Sequence, residues 1–119
     1  MFNIPLFTFT ALLIQMFHIA LHFIIPALVV AAFYRKQWRL AYLIMISTML
    51  VDLDHLVANP IYDPNRCSIG FHPLHKIWFV CFYVLLCFFP RTRFVGLGLS
   101  IHMVLDSIDC QVTNGAWTN

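Results

Sequence analysis

The sequence contains no glutamate, and of its 119 residues only seven are lysine or arginine and five are aspartate. So few charges cannot solubilise a chain that is 61% apolar and 16% aromatic, with twelve phenylalanines, which excludes an ordinary water-soluble domain. Basic clusters are missing too: the net charge is only +2 and the cations are scattered, so no nucleic-acid partner is expected. None of the four cysteines forms a Cys-x-x-Cys pair, which removes thiolate zinc sites from consideration. Met1 to Thr10 lacks Lys and Arg, and no small-residue cleavage site follows the first apolar run, so a removable signal peptide is not expected. With no internal repeat and no low-complexity linker, residues 1–119 read as one domain.

What remains is a series of long apolar segments. Their lengths predict an all-α membrane protein, a four-transmembrane-helix bundle with helices at about 8–34, 40–58, 77–89 and 94–108. The first exceeds the ~30 Å hydrocarbon core and can span with some tilt; the third is short and is expected to begin inside a protein-lined cavity. Arg35, Lys36, Arg39, Arg91 and Arg93 fall in the two short connections, against Arg66 and Lys76 on the other side. The positive-inside rule then places both termini on the non-cytoplasmic side. The outer loop, residues 59–75, holds three prolines, Asp63-Pro64-Asn65 and Gly70, and reads as an ordered, turn-rich segment. Gly96 and Ser100, four residues apart, offer a close-packing face to a neighbouring helix. Pro26 withholds a hydrogen bond from the His22 carbonyl and predicts a local kink.

The polar residues inside these segments form a selected set: His18 and His22, then Asp52, Asp54 and His55, then His72 and His75, then His102, Asp106 and Asp109. All six histidines and four of the five acids belong to it. At about 100° per residue Gln15, His18 and His22 share one helical face, as do His102, Asp106 and Asp109, while Asp52 and His55 form an i, i+3 pair. Asp54 points away from that pair unless its segment unwinds. Arg35 to His22, Arg39 to Asp52 and Arg93 to Asp106 are each thirteen residues, about 20 Å of helix, so these three side chains are expected at one level in the outer half of the bilayer.

A single intramembrane Asp costs on the order of 2.5–3.5 kcal/mol, and the nearby cations are only Arg66 and Lys76, so a bound cation is the simplest way to neutralise the set. Imidazole and carboxylate donors suit a divalent metal, zinc first, with manganese or iron as alternatives, bound as one or two ions. The expected ligands are His18, His22, Asp52, His55, His72, His75, His102 and Asp106. Asp54 and Asp109 are the expected general base or the partners that orient an imidazole. Taken alone, any one of these histidines reads more simply as an interhelical hydrogen-bond donor; it is their number and alignment that favour metal. A proton relay in a non-enzymatic subunit, a haem between His22 and His102, and a metal-ion transporter are the competing readings. The apolar inner half of every helix counts against the transporter.

At these residues the sequence resembles the LexA-regulated, membrane-bound metal-dependent hydrolases and related small bacterial membrane families of unknown function. The shared pattern is a His in the first helix (His22 or His18), Asp-x-Asp-His at Asp52, Asp54 and His55, a His pair at His72 and His75, and His-x-x-x-Asp at His102 and Asp106. The pair sits here in His72-Pro73-Leu74-His75, without the family's usual Arg, Thr and Ser. The resemblance implies a zinc-type hydrolase of the bacterial inner membrane, multi-pass, with a membrane lipid or lipid-linked substrate. Two bound metals would favour attack by an activated water on a phosphoester or related ester, and Arg66 or Lys76 is placed to meet a phosphate. A homo-oligomer or a larger membrane complex is the expected assembly. Cys81 and Cys87 read as inert core thiols, whereas Cys67 and Cys110 both fall on the outer side, where they could form a disulfide.

Overall fold

The computed structural model describes residues 6–60 and 66–119, whose regular elements are all helices, with no strand among them. The Asp63-Pro64-Asn65 turn lies outside the described residues. Helix α1 spans Leu6–Phe33, α2 Trp38–Ser47, α3 Ile77–Leu86 and α4 Arg93–Asn114. Helix α4 packs on each of the other three and is the centre of the bundle. Two stretches, Phe9–Phe33 and Arg35–Val57, are long and apolar enough to cross a membrane. Helix α3 has 10 residues, about 15 Å, and is too short to do so alone.

The surface is apolar and the interior partly charged. Leu12, Met16, Phe17, Phe33, Leu43, Trp78 and Phe88 lie exposed, while His22, His72, His75, His102, Asp54 and Asp106 are buried. This inverts the usual water-soluble arrangement, in which charged groups are almost never buried unless paired.

Three departures from the expected helices matter. First, residues 48–57 leave the α-helix and continue as a 3-10 helix, Thr48–Val57. With three residues per turn, i and i+3 eclipse. Thr48, Val51 and Asp54 form the buried row, Met49, Asp52 and His55 a half-buried row, and Leu50, Leu53 and Leu56 the outward row. Asp54 therefore turns inward while Asp52 and His55 remain aligned. Thr48 Oγ1 donates to the Met45 carbonyl at the junction, a local bond that competes with regular α-helical pairing. Second, α3 stops at Leu86 rather than about residue 89. The freed carbonyls at its end are taken by the residues that open α4: Thr92 Oγ1 donates to Leu86 O at 2.8 Å and Arg93 Nε to Cys87 O at 3.1 Å. Third, α4 runs on to Asn114 and ends at Gly115, whose φ of 73° is the left-handed cap that glycine favours. Asp109 and Cys110 are therefore helical.

Close approach fixes the helix positions. A Cβ on Gly96 would stand 2.6 Å from Cys87 N, and one on Gly98 2.9 Å from Met45 Cα, so α4 meets α3 and α2 backbone to backbone. Ser100, on the Gly96 face, lies with its Oγ 3.7 Å from Cys87 Sγ. That small-residue face is filled within the chain. Pro26 sits inside α1, which continues unbroken to Phe33.

Two clusters form the core. Val30, Ala41 and Met45, with Tyr34, Phe94, Leu97 and Ile101 against them, fill the end beside the Arg35–Gln37 turn. Val51, Cys67, Ile69, Tyr83, Met103 and Cys110 support the opposite end, where the 66–76 loop folds onto the helices. A Cys67–Cys110 disulfide ties that loop to α4. Tyr83 donates its hydroxyl to Leu74 O at 2.8 Å, and Gly70, at φ 85°, donates its N–H to His75 O at 3.0 Å.

Candidate metal centre

The ten His and Asp residues converge at the loop-covered end. Three sets of side chains each bring donor atoms within 4.8 Å of one another and could hold a metal ion: Asp52, His75, His102 and Asp106; His18, His22 and Asp106; and Asp54, His55 and His72.

Asp106 belongs to the first two sets, one oxygen to each. Its Oδ1 lies 3.1 Å from His18 Nε2 and 3.4 Å from His22 Nε2. Its Oδ2 lies 3.0 Å from His75 Nε2 and 3.1 Å from His102 Nε2. Asp52 Oδ1 closes the first set at 3.0 Å from His102 Nε2 and 3.4 Å from His75 Nε2. His22, Asp52 and Asp106, each thirteen residues from its basic turn, thus meet at one level.

The protons of two of these imidazoles are assigned by their other nitrogen. His22 Nδ1 lies 2.8 Å from the His18 carbonyl, which can only accept, so Nδ1 carries the proton. His75 Nδ1 lies 2.8 Å from Asp54 Oδ2 and donates to it. When Nε2 carries no proton, each ring presents a lone pair there to the carboxylate oxygens of Asp106. Neither Nε2 has a hydrogen-bond partner, nor has Asp106 Oδ2, although all three are buried. Electron-rich atoms facing one another at 3.0–3.4 Å repel unless a positive charge, a proton on Nε2 or a metal ion, lies among them. The donor set therefore fits a metal ion. Burial lowers the His75 pKa, but the adjoining carboxylates of Asp106, Asp52 and Asp54 more than reverse this and raise it to about 10. A proton and a metal ion are drawn to the same lone pair.

Asp54 supports the centre from behind. Besides His75 Nδ1, its Oδ2 accepts the Leu74 N–H at 2.9 Å, and its Oδ1 pairs with His55 Nδ1 at 3.0 Å. This is the carboxylate–imidazole arrangement that fixes tautomer and ring orientation around metals. His55 and His72 stack with ring centroids 3.6 Å apart. Burial pushes the His72 imidazole down to about 4, with His55 adding to the shift, so it is neutral at physiological pH. Asp109 is peripheral: its Oδ1 is 4.0 Å from His18 Nδ1 and is buried without a hydrogen bond.

A polar cavity of about 170 Å³ opens onto this centre, lined by Gln15, His18, Asp52, Asp106 and Asp109 on one side and Arg66, Ser68 and His72 on the other. Lys76 is not there; its Nζ donates to Gly70 O at 2.9 Å. The rings of His22 and His102 meet edge to face at 4.5 Å, leaving no slot for a haem. Toward the apolar end, the space bordered by His22, Met45, Gly98 and His102 shrinks to about 10 Å³, room for one water at most.

Ser68, 3.5 Å from His55 Nε2, and Tyr83, which holds the His75 segment, are neighbours of the site that sequence reasoning misses. A loop serine and a helical tyrosine carry no spacing that marks them. Asp54's inward turn does leave a signal, the leucines at 50, 53 and 56 repeating every three residues.

No curated protein and no solved structure matches the chain. Residues 12–113 match the family of unknown function DUF6122, and the chain belongs to that family.

Proposed function

We propose that this protein is a membrane-embedded, metal-dependent hydrolase with two divalent ions, zinc by donor chemistry, sharing Asp106, and that it cleaves a lipid-like phosphoester or ester. The observation that carries this reading is the Asp106 carboxylate, whose two oxygens each face a histidine pair, with the Nε2 lone pairs of His22 and His75 aimed at it. His18, His22 and Asp106 would hold one ion, and Asp52, His75, His102 and Asp106 the other. Bound there, divalent ions supply Lewis-acid polarisation and neutralise the carboxylates. Asp54, with both oxygens already engaged by N–H groups, orients His75 and His55. Asp109 Oδ1, buried beside the cavity, is the side chain placed to take a proton from a substrate water. The resemblance to LexA-regulated membrane hydrolases supports the reaction class.

In this reading the chain crosses the bacterial inner membrane four times, both termini outside. The short α3 begins at the site, because the 66–76 loop is held within protein contacts where irregular backbone is tolerated. The narrowing to about 10 Å³ between His22, Met45 and Gly98 supports hydrolysis over transport.

Elemental analysis of detergent-purified protein tests the proposal. Wild type is expected to carry about one to two zinc-type ions per chain and His102→Ala far fewer, with turnover on a panel of lipid phosphoesters. Substoichiometric metal in wild type refutes the site. Stoichiometric metal with no turnover points instead to a non-enzymatic subunit of a membrane complex. A cytoplasmic reporter fused at Asn119 is expected to be inactive, and strong activity overturns the orientation.

A further inference from the structure

The 170 Å³ cavity has one basic lining residue among those described, Arg66. Its position is fixed from two sides. The guanidinium carbon stands 4.6 Å over the Phe71 ring, and the next residue, Cys67, is bonded to Cys110, the neighbour of Asp109 on α4. Every ion pair among the described residues joins a histidine to an aspartate, and none engages Arg66. Arg66 is therefore a positioned cation lining a site in which Asp52 and Asp106 are committed to imidazoles and Asp109 is not.

We propose that this cavity is a phosphoryl subsite and that Arg66 is its specificity-determining residue, which narrows the substrate of the proposed hydrolase, on which this inference rests, to an anionic phosphoester. A planar guanidinium matches two oxygens of a phosphoryl group bidentately, whereas a neutral carboxylic ester offers only a weak acceptor. Size agrees: about 170 Å³ accommodates a phosphoryl group with a few waters but no acyl chains, so the apolar part of the substrate stays outside. Ile19, which lines the mouth and is 54% exposed, and Phe71, 41% exposed, provide an apolar border for it. Lys76 cannot substitute, since its ammonium is turned to the Gly70 carbonyl.

The ligand chemistry is shared by a lipid phosphate headgroup and free inorganic phosphate, so the experiment carries both. Binding of inorganic phosphate, of phosphatidic acid in neutral-detergent micelles and of acetate is measured by titration calorimetry on wild type, Arg66→Gln and Arg66→Lys. The metal content of each sample is determined in parallel. Arg66→Gln is expected to weaken the preferred phosphoryl ligand about tenfold or more at unchanged metal content, with Arg66→Lys intermediate because it keeps the charge and loses the fork. Tighter binding of phosphatidic acid than of phosphate assigns the subsite to a headgroup; the reverse assigns it to the free anion. Equal binding by wild type and Arg66→Gln, or acetate binding as tightly as phosphate, overturns the inference. Metal-loaded wild type that binds no phosphoryl ligand overturns it alone, leaving the metal reading intact. Arg66-dependent binding by metal-free wild type upholds the subsite and removes the metal reading.

Discussion

The two ends of the bundle share the same helices and are held together by different forces. Around Val30, Ala41 and Met45 the contacts are apolar, and the α4 backbone touches α2 at Gly98. Around Asp106 the interior holds carboxylates and imidazoles, kept in place by a folded loop, a disulfide and the Asp54 network. One end is specified by shape and so depends on volume. The other is specified by charge and, in the proposed reading, depends on a cation. Buried charges are tolerated only where they satisfy one another, which gathers them in one place.

Four perturbations sharpen that contrast, beginning with the largest. Asp106→Ala removes a donor from both principal sets and is expected to lower metal affinity by more than the roughly 10–100-fold typical of a lost supporting residue, with the Val30–Met45 end still folded. Elemental analysis beside circular dichroism checks it; full metal content in the variant would break the shared-carboxylate assignment. Met45→Ala is expected to cost about 2–5 kcal/mol of stability while leaving the metal stoichiometry at the wild-type value, because Met45 supplies no donor atom although its space adjoins His22 and His102. Coincident loss of metal would show the two ends to be one unit. Cys67→Ser with Cys110→Ser should lower stability by about 2–4 kcal/mol, and metal should leave at lower denaturant than in wild type, since the freed loop carries His72 and His75. Asp54→Asn, the mildest, is expected to weaken metal binding about tenfold to a hundredfold at nearly unchanged stability, read by competition with a chelating dye.

Much of the site is legible in the sequence. The histidines of α1 and α4 share helical faces with their polar neighbours, and the thirteen-residue spacings put His22, Asp52 and Asp106 at one depth, because α-helical rise converts residue count directly into distance. Asp54's direction is legible only from the three-residue repeat of Leu50, Leu53 and Leu56, because an α-helical period turns it away from the site and residues 48–57 adopt a three-residue period instead. The ends of α3 and α4 escape for a related reason. Apolarity reports where lipid or core surrounds the chain, whereas helix ends depend on partners such as Thr92 and Arg93 that satisfy terminal carbonyls. The close approach at Gly98 leaves no local trace, since nothing in the sequence distinguishes a glycine that meets a backbone from one that meets lipid.

By itself the sequence determined the helical class, the segments apolar enough to cross a membrane and the short set of residues able to bind a cation, because composition and periodicity are local properties that survive without a fold. Only the tertiary structure decided that Asp106 is shared between two histidine pairs, that Asp54 stands behind His75, that Cys67 meets Cys110 and that Arg66 rather than Lys76 lines the cavity. Those are statements about which lone pairs and charges face one another across distant parts of the chain, and such directions exist only once the helices have packed.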